Sequence, residues 1–412
     1  MGREIPTTTP AGGHDMRAEV VVVGAGPAGS IAALALARAG LDVVLLDRTA
    51  FPRDKTCGDG LMPDALEALR ALGLAERALS GARCLRTLLI YSPNGTAVTV
   101  NGEFAVVPRE RFDASLCAAA IEAGARFLAP VRAVAPIEDG GRVAGVIAEA
   151  SDGANLAVHA RVTVLATGAG SGPLTAFGVC DRSEPSATAA RFYLALDPEA
   201  SFDLDALCIS YDRTICPGYG WVFPGPDNSY NIGVGYFTGA VPGTKNLRLL
   251  MTRFIENFPP ARELMRLGGK TTTLRGAPLR TGLTGSRLSR PGLLVAGEAA
   301  GLTYPISGEG IGKAIASGLL AADVIRGGLQ AGDSDAAIAA AYAATLEARF
   351  VRRFQAYANA QRWVEHPRLL DFLARRANAG NYVRRQIESL INETAEPSSI
   401  LSVRGILRAV FS

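Results

Sequence analysis

Two apolar spacings alternate along this chain. Glu19 to Val23 is a short β-branched run, followed at once by Gly24-Ala25-Gly26-Pro27-Ala28-Gly29-Ser30. A helical pattern then runs from Ser30 to Ala39, and a second apolar strand covers Val43 to Leu46. Together they predict a βαβ unit of about 30 residues. An Ala/Leu-rich helix is predicted near Pro63 to Leu72. Leu85 to Val100 alternates and breaks at Pro93-Asn94-Gly95, the pattern of a hairpin. Phe112 to Gly124 returns to helical spacing, and Val131 to Ala150 reads as strands around Asp139-Gly140-Gly141. Val162 to Ala166 is a further buried strand, and strand-like runs dominate from Ala187 to Phe237. Leu293 to Ala296 returns to the first layer, with a glycine-rich loop and a helix from Gly310 onward; beyond Ser334 the chain is Ala/Arg-rich and helical.

This order predicts an α/β protein: a Rossmann-type dinucleotide-binding domain, an inserted and mostly antiparallel β-sheet substrate domain, and a helical C-terminal region. The expected boundaries are a disordered tail over 1–17, a discontinuous dinucleotide domain over 18–84, 101–180 and 276–333, a substrate domain over 85–100 and 181–275, and C-terminal helices over 334–412. The tail is polar and lacks the apolar core of a signal peptide, with Met16 as an alternative start.

Composition narrows the function classes. Hydrophobic residues make up 48% and charged residues 20%, as in a packed globular protein, and a net charge of +3 gives no reason to invoke nucleic acid. Cys57, Cys84, Cys117, Cys180, Cys208 and Cys216 form no C-x-x-C pair, and His14, His159 and His366 have no ligand spacing. Neither a disulfide scaffold nor a metal site is expected, and a reducing cytoplasm is the default. No apolar run reaches the ~18 residues of a membrane span. Arg349, Arg352, Arg353, Arg362, Arg375, Arg376, Arg384 and Arg385 make the C-terminal helices basic. A solvated face shared with Glu347, Glu365 and Glu388 is the expected reading; peripheral contact with an anionic membrane is the alternative. Oligomeric state is not legible.

Chemistry enters with G-x-G-x-x-G. Gly24 permits a tight turn, Gly26 lets backbone approach a pyrophosphate, and Gly29 lets helix and strand pack closely. Pro27, Ala28 and Ser30 open the helix whose N-terminus would face the phosphates; Asp47, followed by Arg48, would hydrogen-bond ribose. Three later segments point to FAD rather than NAD. Arg109 heads Arg109-Glu110-Arg111-Phe112-Asp113 before a helix, and Ala166-Thr167-Gly168 ends a strand, with Val131 a further expected contact. The third runs from Gly297-Glu298 through Gly301, Pro305 and Gly308-Glu309-Gly310-Ile311. There a carboxylate would meet the ribityl or phosphate region, and a helix N-terminus the ring edge that turns negative on reduction.

These segments resemble the FAD-dependent geranylgeranyl reductase family, which includes bacterial menaquinone and archaeal prenyl reductases, within the aromatic-hydroxylase-like flavoproteins. The more specific parts are Phe51-Pro52-Arg53-Asp54-Lys55-Thr56-Cys57-Gly58-Asp59-Gly60-Leu61, Pro217-Gly218-Tyr219-Gly220-Trp221-Val222-Phe223-Pro224 and Asn231-Ile232-Gly233-Val234-Gly235. The resemblance implies that Arg109 contacts FAD, that Cys57-Gly58 lies near the flavin ring, and that Tyr219, Trp221 and Phe223 line a substrate cavity. Two departures stand out. Glu298 replaces the family's usual Asp, and Thr167 to Gly172 lacks the superfamily's Asp-Gly carboxylate.

The expected activity is reduction of carbon–carbon double bonds in an isoprenoid or other lipophilic substrate by hydride from reduced flavin, with NAD(P)H or another reductant as electron donor. Cys57 is the candidate catalytic proton donor, since a free thiol is mostly protonated at neutral pH; a buried cysteine without a role is the competing reading. The alternative activity is a monooxygenase, a hydroxylase or epoxidase acting on a natural product through a flavin hydroperoxide. A non-enzymatic flavin binder is the third reading.

Overall fold

The computed structural model describes residues 15–181, 184–238, 246–283, 285–395 and 397. The expected tail before residue 15 and the last expected helical stretch, 398–412, lie outside the described residues.

The fold is α/β with two sheets and a helical C-terminal region. In the first sheet the strand Asp15–Val23 pairs in parallel with Val43–Leu46 on one side and Asn155–Leu165 on the other. Arg126–Leu128 and Leu293–Val295 continue it outward, also in parallel. The buried ends of these strands read Val20 to Val23, Val43 to Leu46 and Val162 to Leu165, the continuous apolar runs of a sheet covered on both faces. Helix Pro27–Arg38 covers one face together with Arg109–Glu122 and Ile311–Ala331.

The first strand begins at Asp15 rather than Ala18, which corrects the inner end of the expected tail. Asp15 to Ala18 pair with Ala157 to Ala160, because Asn155–Leu165 runs past the buried sheet and offers them backbone partners. Alternating exposed and half-buried positions keep this extension at the surface.

The second sheet is mostly antiparallel. Ala187–Ala195, Ser229–Phe237, Gly218–Pro224 and Leu207–Ser210 form its centre, and Arg83–Tyr91 with Ala97–Val106 extends it. It also recruits Gly60–Leu61 and Arg275–Leu279. The boundaries therefore shift from those expected at residues 85, 100 and 276: the hairpin strands run on to Val106, and the loop after Val43–Leu46 is stitched to the second sheet through Gly60.

Helices Pro367–Ala379 and Asn381–Ile391 strap this hairpin. Asp371 accepts from Asn94 N (2.8 Å) and pairs with Arg213 (2.9 Å), and Asn378 donates to the Ala97 carbonyl (2.8 Å). Arg375, Arg384 and Arg385 point to solvent, whereas Arg353 turns inward toward Glu393. No helix among the described residues is long and apolar enough to cross a membrane.

Candidate cofactor and substrate site

Four parallel strands deliver their carboxyl ends to one cleft: Val23 into Gly24, Leu46 into Asp47, Leu165 into Ala166 and Val295 into Ala296. That is where open α/β sheets bind ligands, because the helix N-termini converge there. The two leading glycines are required for different reasons. Gly24 sits at φ +100°, and a Cβ on it would lie 2.4 Å from the Ala166 carbonyl oxygen. At Gly26 a Cβ would meet only Arg53 Nη2, 3.8 Å away. The chain itself needs the first glycine; the space beside the second fits a pyrophosphate. Helix Pro27–Arg38 has no side-chain cap, so its first N–H groups remain free for the same phosphates.

The other predicted contacts divide in two. Pro27, Ala28, Asp47, Arg48 and Arg109 line the cleft, as do Val131, Ala166, Thr167 and Gly168. Glu298, Gly308, Glu309, Gly310 and Ile311 line it from the third segment. Gly29, Ser30, Gly297, Gly301 and Pro305 stand just behind these residues and pack the wall. A Cβ on Gly29 would meet Gly24 O at 1.8 Å, and one on Gly297 would meet Ala28 Cβ at 2.8 Å. Ser30 donates to the Ala25 carbonyl (3.0 Å), and Gly301 abuts Leu283 backbone. Pro305 is buried beside Tyr304.

Charge beside Asp47 is arranged around Arg53, a residue of the Phe51 to Leu61 segment. Its guanidinium lies 3.5 Å from Asp47, 3.2 Å from Asp113 and over the Phe51 ring. Asp47 also accepts from Ala25 N (2.9 Å) and Thr49 N (3.0 Å), which ties the second strand to the glycine turn. Arg109 is the first residue of its helix rather than a residue preceding it, and it grips Asp113 in a bidentate pair at 2.6 and 2.8 Å. The longer side chain of Glu298 reaches Lys55 (3.9 Å) and Arg280 N (3.4 Å).

The opposite wall is aromatic. Tyr219, Trp221 and Phe223 alternate along Gly218–Pro224, so all three share the face that lines the cleft. Cys57-Gly58 lies against them: a Cβ on Gly58 would be 3.1 Å from Phe223 Cε2 and 3.2 Å from Trp221 Nε1. Across the strand pair, a Cβ on Gly233 would fall 1.9 Å from Trp221 Cζ2, so glycine there lets the indole lie on the neighbouring backbone.

Asn231 is the hub of this wall. It accepts from Trp221 Nε1 (2.9 Å) and donates to the Cys57 carbonyl (2.8 Å) and to Asp59 (2.9 Å). Asp59 also accepts from Tyr193 OH (2.5 Å) and Arg109 N (3.3 Å). Burial pushes its carboxyl up to about 6 against the pull of those donors and of Arg191 and Arg109. Asn231 and Asp59 stood inside quoted motifs, but motif position says nothing about which side chain meets which. Replacing Asn231 by Leu is expected to strand the Trp221 N–H and one Asp59 lone pair, costing about 2–4 kcal/mol of stability. It should also raise KM more than it lowers kcat. A thermal melt and steady-state kinetics check both; an unchanged melt would remove Asn231 from this role.

The loop from Pro305 to Gly310 is held by two tyrosines and backed by a buried cation. Tyr219 OH donates to Ser307 O (2.6 Å) and Tyr211 OH to Ile306 O (3.3 Å). Behind it Lys313 is buried, 2.8 Å from Asp64, 2.5 Å from Glu393 and 3.6 Å from Glu309, with its Nζ 4.1 Å from the centre of the Tyr304 ring. In the sequence its one signal is a lone cation in an Ala/Gly/Ile helical run. Burial pushes the Glu309 carboxyl up to about 7, against the attraction of Lys313.

Comparison with known proteins agrees with this geometry. The family described as an FAD binding domain matches residues 17–196. Menaquinone reductase of Mycolicibacterium smegmatis is 35% identical over 325 residues, covering 76% of this chain and 77% of that protein. Digeranylgeranylglycerophospholipid reductase 1 of Methanopyrus kandleri is 31% identical over 351 residues, covering 82% and 88%. A geranylgeranyl bacteriochlorophyll reductase-like protein of Thermoplasma acidophilum superposes with a TM-score of 0.77 at 25% identity, over 96% of each chain. A flavin-dependent brominase reaches the same TM-score at 20% identity, over 96% of this chain and 98% of its own, which shows the shared fold alone. The chain is an FAD-dependent oxidoreductase and belongs to the geranylgeranyl reductase and menaquinone reductase family.

Proposed function

We propose that this protein saturates carbon–carbon double bonds in the isoprenoid chain of a lipophilic substrate. The observation that carries the reading is a single cleft whose one end is a dinucleotide cradle and whose other end is walled by Tyr219, Trp221 and Phe223. The names of the relatives, reductases of menaquinone and of a digeranylgeranyl lipid, support the same substrate class.

Bound and reduced, FAD supplies a hydride; NAD(P)H or another reductant provides its electrons. The chain's own residues do the rest. Gly24, Gly26 and the free N–H groups of the first helix would hold the phosphates and Asp47 the ribose, with Arg53 adding positive charge beside them. Gly308 to Ile311 bring a helix N-terminus to the ring side of the cleft. An isolated alkene is not polarised, so the site must hold it at reacting distance and keep water out. The aromatic strand gives the chain an apolar surface, and the bond from Asn231 to the Cys57 carbonyl sets how closely the Cys57-Gly58 loop approaches it.

Reducing the purified flavoprotein with dithionite under anaerobic conditions and adding a polyprenyl quinone tests the reading. Saturated product formed without oxygen is expected. Product that appears only after oxygen is admitted, and that carries an atom from it, would overturn the reading in favour of a monooxygenase.

A further inference from the structure

We infer that Glu309 is the acid that protonates the substrate carbon, an inference that rests on the reductase reading above. Saturating an alkene breaks its π bond and forms two C–H bonds. One carbon receives the hydride supplied by reduced FAD, which is oxidised in the exchange; the other carbon must take a proton from a group lining the cleft.

The acids of that lining are not equivalent. Tyr219 commits its hydroxyl proton to the Ser307 carbonyl, and burial drives its phenol far above the ordinary range. Asp59 accepts from Tyr193, Asn231 and Arg109 N, and these donors hold the carboxylate and leave it no proton to give. Glu309 stands differently. Two cations, Lys313 and Arg353 beside Glu393, face three carboxylates and cannot neutralise them all. Asp64 and Glu393 take the close contacts of Lys313 at 2.8 and 2.5 Å, while Glu309 lies 3.6 Å away. The remaining proton therefore rests on Glu309, the one residue of the three that lines the cleft.

The surroundings on every side support this. Tyr211 and Tyr219 face Glu309 from the second sheet, Tyr304 from its own loop, Tyr357 from the long helix Asp335–Gln361, and Arg353 stands behind Glu393. All four phenols are pushed above their ordinary range, chiefly by burial, so none competes as an acid. Once the proton has left, the new carboxylate is held by the Lys313 ammonium, and water restores the proton as product departs.

Glu309→Gln and Glu309→Asp, each purified with FAD, test the inference. E309Q should keep its flavin content yet saturate a polyprenyl quinone at least about 100-fold more slowly, the usual worth of a general acid. The wild-type rate should fall as pH rises through about 7, the value to which burial lifts this carboxyl. That limb should be absent in E309Q and retained, at reduced rate, in E309D. Independently of turnover, the absorbance of oxidised holoenzyme should show a one-proton transition near the same pH, absent in E309Q. An E309Q rate within about three-fold of wild type, an unchanged spectral titration, or a pH limb abolished by Cys57→Ser instead would overturn the inference alone. A wild-type enzyme that yields no saturated product would overturn it together with the reductase reading.

Discussion

Gly26→Val is expected to give a folded protein that no longer retains FAD. The new Cβ meets no protein atom nearer than Arg53 Nη2 at 3.8 Å, and the backbone at Gly26 (φ −74°, ψ −174°) is open to any residue. The fold therefore loses little. The side chain instead fills the space where a pyrophosphate comes against the backbone, and affinity should drop by at least about 100-fold, close to 3 kcal/mol. Gly24→Ala makes the contrast: its methyl collides with the Ala166 carbonyl at a positive φ, so it damages the fold first. Flavin absorbance per protein after desalting, with a melt of each apoprotein, separates the two. A yellow Gly26→Val protein would remove the phosphates from this turn.

Lys313→Met should be the most damaging single change behind the cleft. It leaves Asp64, Glu309 and Glu393 facing one another without their shared cation, and breaking a buried ion pair from one side costs about 3–5 kcal/mol. The sign of its pH dependence is fixed. Against the pull of burial, the carboxylates hold the Lys313 ammonium above its usual range, so in the wild type it stays charged through neutral pH. In the variant Glu309 loses the attraction of Lys313, so its carboxyl, already lifted by burial, rises further. Its penalty is then full at alkaline pH and is relieved as pH falls and it protonates. The gap in Tm between variant and wild type should narrow from about pH 8 to about pH 5.5. A gap that widens on acidification would show that the cluster is not carrying charge as described.

How much of this was legible depends on the range of the signal. The βαβ unit, the acidic residue after its second strand and the aromatic alternation of Tyr219, Trp221 and Phe223 were readable because each rests on spacing within one element. The hairpin strands ran past their expected ends, since Gly60–Leu61 pairs with Val106 and Ala105 and no local pattern announces a two-residue partner. Five of the expected cofactor contacts, Gly29, Ser30, Gly297, Gly301 and Pro305, also have packing roles. A glycine that admits a ligand and one that admits a neighbouring backbone look alike in sequence.

The sequence by itself determined the class of the molecule: an apolar parallel sheet, a glycine turn that only a positive φ satisfies, and an aromatic strand with one common face. Backbone sterics and side-chain periodicity act over a few residues, so they are written where they act. Only the tertiary structure decided the polar pairings that shape the site. Asn231 with Cys57 and Asp59, Arg53 with Asp113, and Lys313 with Asp64 and Glu393 join residues far apart in the chain. A buried polar group must find a partner, but which one it finds depends on how whole elements register against each other, and no local pattern carries that information.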